Sequence, residues 1–254
     1  MPFSLFGAKP KARVSKKRDA PPRRELLKID GKLLEVHVRL NPRARRMIVK
    51  VNPATGEVSV TAPSRGGLAQ ALAFARDEQD WIARQLALAP GPVWLAAGAM
   101  LPFEGRAHEI CVARSGPAPV WREDGVMWVR GESAHVPRRV LDFLKKEARK
   151  AFEARSLHHA GRLGVRPARI TVRDTASRWG SCSSARSLSF SWRLILAPPF
   201  VLDYVVAHEI AHLREMNHSP RFWAHVKSLV ADLETPQAWL RQHGRGLQRY
   251  AVKP

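Results

Sequence analysis

Three short stretches near the start of the chain alternate apolar and polar residues in the manner of half-buried strands: residues 34–40 (LEVHVRL), 47–51 (MIVKV) and 58–61 (VSVT). Successive side chains of a strand point to opposite faces, so a period of two marks a sheet with one covered face. The intervening Asn41-Pro42-Arg43 and Asn52-Pro53-Ala54-Thr55-Gly56 carry turn chemistry, and the three strands read as a meander. Leu68, Leu72, Ala75, Trp81 and Ile82 then fall at near-helical spacing, which predicts one helix ending about Leu88, before Pro90-Gly91-Pro92. Two further strand-like stretches follow, residues 108–113 and 126–130.

From Pro137 the period changes to that of a long amphipathic helix, with Val140, Leu141, Leu144, Ala148, Ala151 and Phe152 on one stripe and stop signals at Gly161 and Gly164. Residues 170–173 and 188–196 read as strands, the second placing Leu188, Phe190, Trp192, Leu194 and Leu196 on one face. The Ser177-Arg178-Trp179-Gly180-Ser181-Cys182-Ser183 stretch between them has two readings. Either it is a hairpin loop whose Trp179 covers the core, or it borders a cleft beside an edge strand, with Arg178 turned to a carboxylate or an oxyanion. The division expected is a disordered basic tail (1–28), a β-rich region with one helix (29–135) and an α+β domain (136–254), without internal repeats.

Composition narrows the function classes. No window approaches the roughly 18 consecutive apolar residues of a membrane span, and the apolar residues at the start precede the basic ones, the reverse of a secretory signal, so a cytoplasmic protein is expected. Only Cys111 and Cys182 are present, which excludes a disulfide framework, an iron–sulfur site and a Cys-x-x-Cys zinc ribbon. The formal net charge is +21, with nine Lys or Arg in residues 1–28 alone, so polyanions, nucleic acid among them, are admissible partners.

The residues with the sharpest chemistry are His208-Glu209-Ile210-Ala211-His212. Residues 200–207 (FVLDYVVA) contain no helix breaker, so the motif lies on a helix, where two histidines four apart are rotated by only about 40° and separated by about 6 Å. Both imidazoles can therefore meet one zinc ion, and the adjacent Glu209 can take a proton from a water on it. A catalytic zinc needs a third protein ligand. His218 is the candidate, in a turn begun by Asn217 and closed by Ser219-Pro220 as the cap and first residue of a following helix. Glu215, one turn after His212, is the rival ligand and otherwise a neighbour of the site. Tyr204, one turn before His208, is read as core packing or as a residue supporting the ligands.

The segments SRWGSCSS (177–184), LSFSWRLILAPP (188–199), LDYVVAHEIAHL (202–213) and NHSPRFW (217–223) together resemble the YgjP-like zinc metallopeptidases, a zincin-type family. That resemblance implies a cytoplasmic α+β, zincin-like fold, one Zn2+ on His208, His212 and His218, Glu209 as catalytic base, and a peptide or protein as substrate. A metzincin is a poorer match, because Glu215 stands where that pattern has Gly and no Met follows Met216 for a Met-turn. The competing function is a basic, nucleic-acid-associated zinc protein of the SprT-like kind, acting on or near DNA-bound proteins with little general protease activity.

Overall fold

The computed structural model describes residues 23–252 except 30, 53–55, 64–66, 89–90 and 176–177. The described residues have a mixed α and β fold divided into two compact units, one ending at residue 92 and the other beginning at residue 93. Of the expected tail, residues 1–22 lie outside the described residues. Residues 23–28 belong to a strand, β1 (Arg23–Ile29), which pairs antiparallel with β2 (Lys32–Leu40). The alternation of Arg24, Leu26 and Lys28 with the buried Leu27 and Ile29 gives that stretch a core face despite its charge.

In the first unit β3 (Ile48–Val51) and β4 (Val58–Ala62) complete a sheet of order β1-β2-β4-β3, in which β2 and β4 are parallel. The expected simple meander is therefore replaced by a sheet in which β4 inserts between β2 and β3. The predicted single helix is two, α1 (Leu68–Asp77) and α2 (Gln79–Leu88), which cover the sheet through Ala71, Ala75 and Ile82. The break falls at Glu78, whose own N–H still reaches back to Phe74, so the apolar period runs through the interruption unchanged.

The second unit opens with β5 (Val93–Trp94) and a four-stranded sheet of β6 (Met100–Phe103), β7 (Arg106–Ala113), β8 (Val120–Glu123) and β9 (Val126–Arg130). Its order, β6-β7-β9-β8 with a parallel central pair β7/β9, repeats that of the first sheet, a recurrence at the level of topology that no repeated sequence announces. Leu101, Phe103, Ile110, Met127 and Val129 from this sheet share one core with Val140, Leu144 and Phe152 of α3 (Val136–Leu163). The boundary between compact units accordingly falls after residue 92 and not at the expected 135/136, because these strands bury their apolar face in the core of the helical part. α3 ends as the glycines suggested, with Gly164 at φ 60° as its left-handed cap.

A small sheet follows, β10 (Arg169–Arg173), β12 (Ser187–Ser191) and β11 (Gly180–Cys182), with β11 at an edge. The strand expected over 188–196 stops at Ser191; residues 192–196 turn into a 3-10 coil in which all five side chains are buried, so alternation no longer describes the segment. Then come α4 (Pro199–Ala211), α5 (Pro220–Leu229), α6 (Glu234–Leu247) and β13 (Tyr250–Ala251), which pairs parallel with β5. No helix among the described residues is long and apolar enough to cross a membrane.

Candidate metal centre

Ten of the thirteen residues of α4 are buried, among them His208 and Glu209. A helix apolar on all sides is a core helix, so its polar pair must be satisfied from within. The helix ends at Ala211 with His212 as its C-cap, and the chain then turns away, with Glu215 N–H still bonded to Ala211 O at 3.0 Å. Arg214 fixes this turn to the end of α3, donating from Nε and Nη2 to Leu163 O at 3.1 and 2.6 Å. Asn217 Oδ1 accepts from Ser219 N at 3.1 Å, and Ser219 Oγ accepts from Phe222 N at 3.3 Å, which caps α5 as its sequence suggested.

These constraints bring His208, His212 and His218 together, with one ring nitrogen of each lying within 4.8 Å of the others. The Nε2 atoms of His208 and His218 are 3.1 Å apart. Two nitrogens bound to one tetrahedral zinc at 2.0–2.1 Å lie about 3.3 Å apart, so the spacing suits a shared ion. His212 Nδ1 lies 3.0 Å from the backbone oxygen of Glu215. It can bond to a carbonyl only as a donor, which leaves Nε2 with the lone pair a metal needs. The donor set, three imidazoles of which His208 is buried and His218 exposed, fits a borderline metal ion reached from solvent.

Glu215 thus meets the cluster through its backbone oxygen, and the third histidine of the cluster is His218. Phe222, in the NHSPRFW segment, is fully buried with its ring 4.8, 4.5 and 4.7 Å from those of His208, His212 and His218. It forms an apolar wall against all three imidazoles. Burial lowers the pKa of His208 well below the ordinary value, with help from the two neighbouring histidines, and lowers His212 as well. Both rings are therefore neutral and able to ligate near neutral pH.

Glu209 is 2% exposed and accepts a hydrogen bond from the Cys182 backbone N–H. Burial pushes its carboxyl up to about 8, against the opposing charge of Arg178 and that hydrogen bond. Gly180, in β11, abuts the same carboxylate: a Cβ there would lie 2.6 Å from Glu209 Oε1. The glycine in the Trp-Gly-Ser-Cys stretch was the available signal for this close approach, but sequence alone did not say what approached it.

The remaining candidates separate. Trp179 is 8% exposed and packed against Gly244 of α6, so it belongs to the core, while Arg178 is exposed and acts on Glu209 through its charge. Tyr204 is buried with its ring 6.2 Å from that of His208, and its hydroxyl accepts a hydrogen bond from Gln237 Nε2 at 2.9 Å. Burial pushes the Tyr204 hydroxyl up to about 12.

Residues 45–243 match the family described as YgjP-like, metallopeptidase domain. A comparison with curated proteins finds no relative. Among solved structures, the metallopeptidase zymogen of abylysin from Pyrococcus abyssi is similar at 22% identity and a TM-score of 0.34, over 40% of this chain and 99% of that one.

Proposed function

The chain belongs to the YgjP-like metallopeptidase family, and from that premise we propose that it is a cytoplasmic, zinc-dependent peptidase with Glu209 as general base. The observation that carries this reading is the convergence of the ring nitrogens of His208, its helix cap His212 and His218 of the following turn within 4.8 Å of one another, beside the helix that carries the buried carboxylate of Glu209. Three protein ligands leave one position of a tetrahedral ion open, the pattern of catalytic zinc, and an all-imidazole set favours zinc over magnesium or calcium. When bound, zinc supplies Lewis acidity, which lowers the pKa of a water and polarises a carbonyl oxygen.

The chain's own groups do the rest. Glu209, fixed by the Cys182 N–H and by the lack of space beside Gly180, takes the proton of the attacking water at a carboxylate oxygen and delivers it to the departing amine. That task needs an ionised carboxylate, and the charge of Arg178 favours this form against the effect of burial. His212 keeps its ligating tautomer through the Glu215 carbonyl. β11, at the edge of its sheet, is where an extended peptide would add as a further strand.

The test is metal content and peptide hydrolysis measured on the same preparations. The parent is expected to hold about one equivalent of zinc, lost in His218→Ala and kept in Glu215→Ala and Glu209→Gln, with hydrolysis abolished in Glu209→Gln. A Glu209→Gln protein as active as the parent refutes the base; a folded parent that takes up no zinc refutes the metal centre. The net charge of +21 favours a second reading, a nucleic-acid-associated zinc protein. It requires nucleic-acid binding that weakens steeply with salt and survives Glu209→Gln.

A further inference from the structure

Arg193 stands apart among the buried groups of the second unit. Its side chain is only 8% exposed, yet a guanidinium is always charged, and removing an ion from water is costly unless partners replace the water. Those partners come from segments far apart in the chain. Nη1 pairs with the carboxylate of Asp174, just beyond β10, and Nη2 donates to the backbone oxygen of Tyr250 in β13 at 3.0 Å. Nε is buried and finds no acceptor among the described residues, and the guanidinium carbon lies 4.5 Å from the centre of the Trp192 ring. A buried ion with an incomplete set of acceptors contributes little net stability; it can nevertheless specify which segments meet.

Two further contacts join the same segments. Gln248 Nε2 donates to Thr175 O at 3.4 Å. Gly244 lies so close to Trp179 that a Cβ would be 3.3 Å from the indole Cζ2. Asp174, Thr175 and Trp179 are thus each held from the C-terminal segment, directly or through Arg193. Trp179 leads straight into β11, which is paired to β12 at Gly180↔Phe190 and Cys182↔Leu188 and supplies both the steric wall and the N–H donor of Glu209.

We propose that Arg193 is a positioning residue for the hydrolytic reaction: by joining Asp174 to the C-terminal strand, it keeps β11 seated against Glu209. The aim of the carboxylate then depends on Gly244, Gln248 and Tyr250 near the end of the chain. The proposal rests on Glu209 as the base, but its first test needs no hydrolysis.

Cys182 lies in β11 and is buried, so its rate of reaction with a neutral maleimide reports whether that strand stays seated. In a zinc-loaded full chain carrying Cys111→Ser, Arg193→Lys and Asp174→Asn are each expected to speed Cys182 labelling about tenfold or more beyond what any shift in the unfolding midpoint accounts for, with unchanged zinc content. Asp174 is half exposed, and Asp174→Asn removes the counter-charge while keeping an amide oxygen that can still accept from the Arg193 guanidinium. Arg162→Lys, which alters a guanidinium bonded to Leu229 O and Ser228 O, should leave labelling at the parental rate. With peptide substrate, Arg193→Lys should lower kcat about tenfold with KM within about threefold, as expected for a misaimed base.

Parental labelling rates in both Arg193→Lys and Asp174→Asn overturn the proposal. So does labelling that rises only in proportion to global unfolding, or faster labelling with an unchanged kcat. If the parent hydrolyses nothing, the labelling rates still decide whether the brace exists, and the failure then belongs to the assigned base.

Discussion

Gly180→Ala perturbs the proposed base by a single methyl group at a position with no backbone objection, since Gly180 lies outside the left-handed region. The added Cβ would meet Glu209 at 2.6 Å from Oε1, 2.7 Å from Cγ and 2.9 Å from Cδ, whereas ordinary contact begins at 3.4 Å, so about 0.8 Å must be recovered. β11 cannot simply retreat, because its partners Leu188 and Phe190 are buried core residues. The carboxylate therefore moves. A displacement near 1 Å at a reacting group costs on the order of a hundredfold in rate, or about 2.7 kcal/mol of barrier, while the crowding itself costs about 1–3 kcal/mol of stability. The assay is kcat/KM on a quenched peptide, with zinc content and unfolding midpoint measured on the same protein. Zinc should stay, because the clash touches no histidine. Activity within about threefold of the parent with zinc bound would refute the reasoning, and so would loss of zinc together with activity, which would mean that β11 supports the ligands and not the base.

Chelated protein should show the cost of the buried carboxyl. With the Glu209 pKa raised from 4.5 to about 8, the folded state keeps a proton that the unfolded chain releases, so this group's contribution to stability falls as pH rises across that window. Metal-free Glu209→Gln should therefore gain on the metal-free parent between pH 5 and 9 by up to about 4–5 kcal/mol in urea unfolding; no gain would contradict the assignment. His208 and His212, lowered from 6.5, act with the opposite sign, and their contribution is lost as pH falls below that value. Asp203 Oδ1 holds His159 Nε2 at 2.8 Å and Arg155 Nη1 at 3.2 Å, tying α3 to α4. Although burial raises the Asp203 carboxyl, the His159 bond and charge, then Arg155 and His158, hold it below the usual range. Asp203→Asn should cost about 2–3 kcal/mol at pH 7. The contribution of Asp203 is present above its unfolded value of 3.8 and is lost as pH falls through its lower folded value, so the gap to the parent should close in acid.

Much of the site was legible because its determinants are local. The spacing of His208 and His212, the Ser219 cap of α5 and the Gly164 stop of α3 each follow from a few neighbouring residues. What escaped depends on residues distant in sequence. The parallel pairs β2/β4 and β7/β9 are chosen by the whole sheet, and alternation is the same for a meander as for an inserted strand. Residues 192–196 (WRLIL) continue the apolar face through Trp192, Leu194 and Leu196, so the segment reads as more strand, and only the apolar Ile195 marks where alternation ends. The contacts of Gly180 with Glu209 and of Phe222 with three imidazoles are properties of packing, visible only once α4, α5 and β11 meet.

The near-complete burial of α4 bears on how such a chain can change over generations. In the proposed function α4 and its cap supply two ligands and the base, and the same helix contributes Val201, Val205, Val206 and Ile210 to the interior, so substitutions at those apolar positions threaten scaffold and chemistry together. A lineage could give up the proposed hydrolysis at little structural cost by altering the exposed His218 or by neutralising the buried Glu209, whereas the apolar positions of α4 are held by the selection that keeps the protein folded.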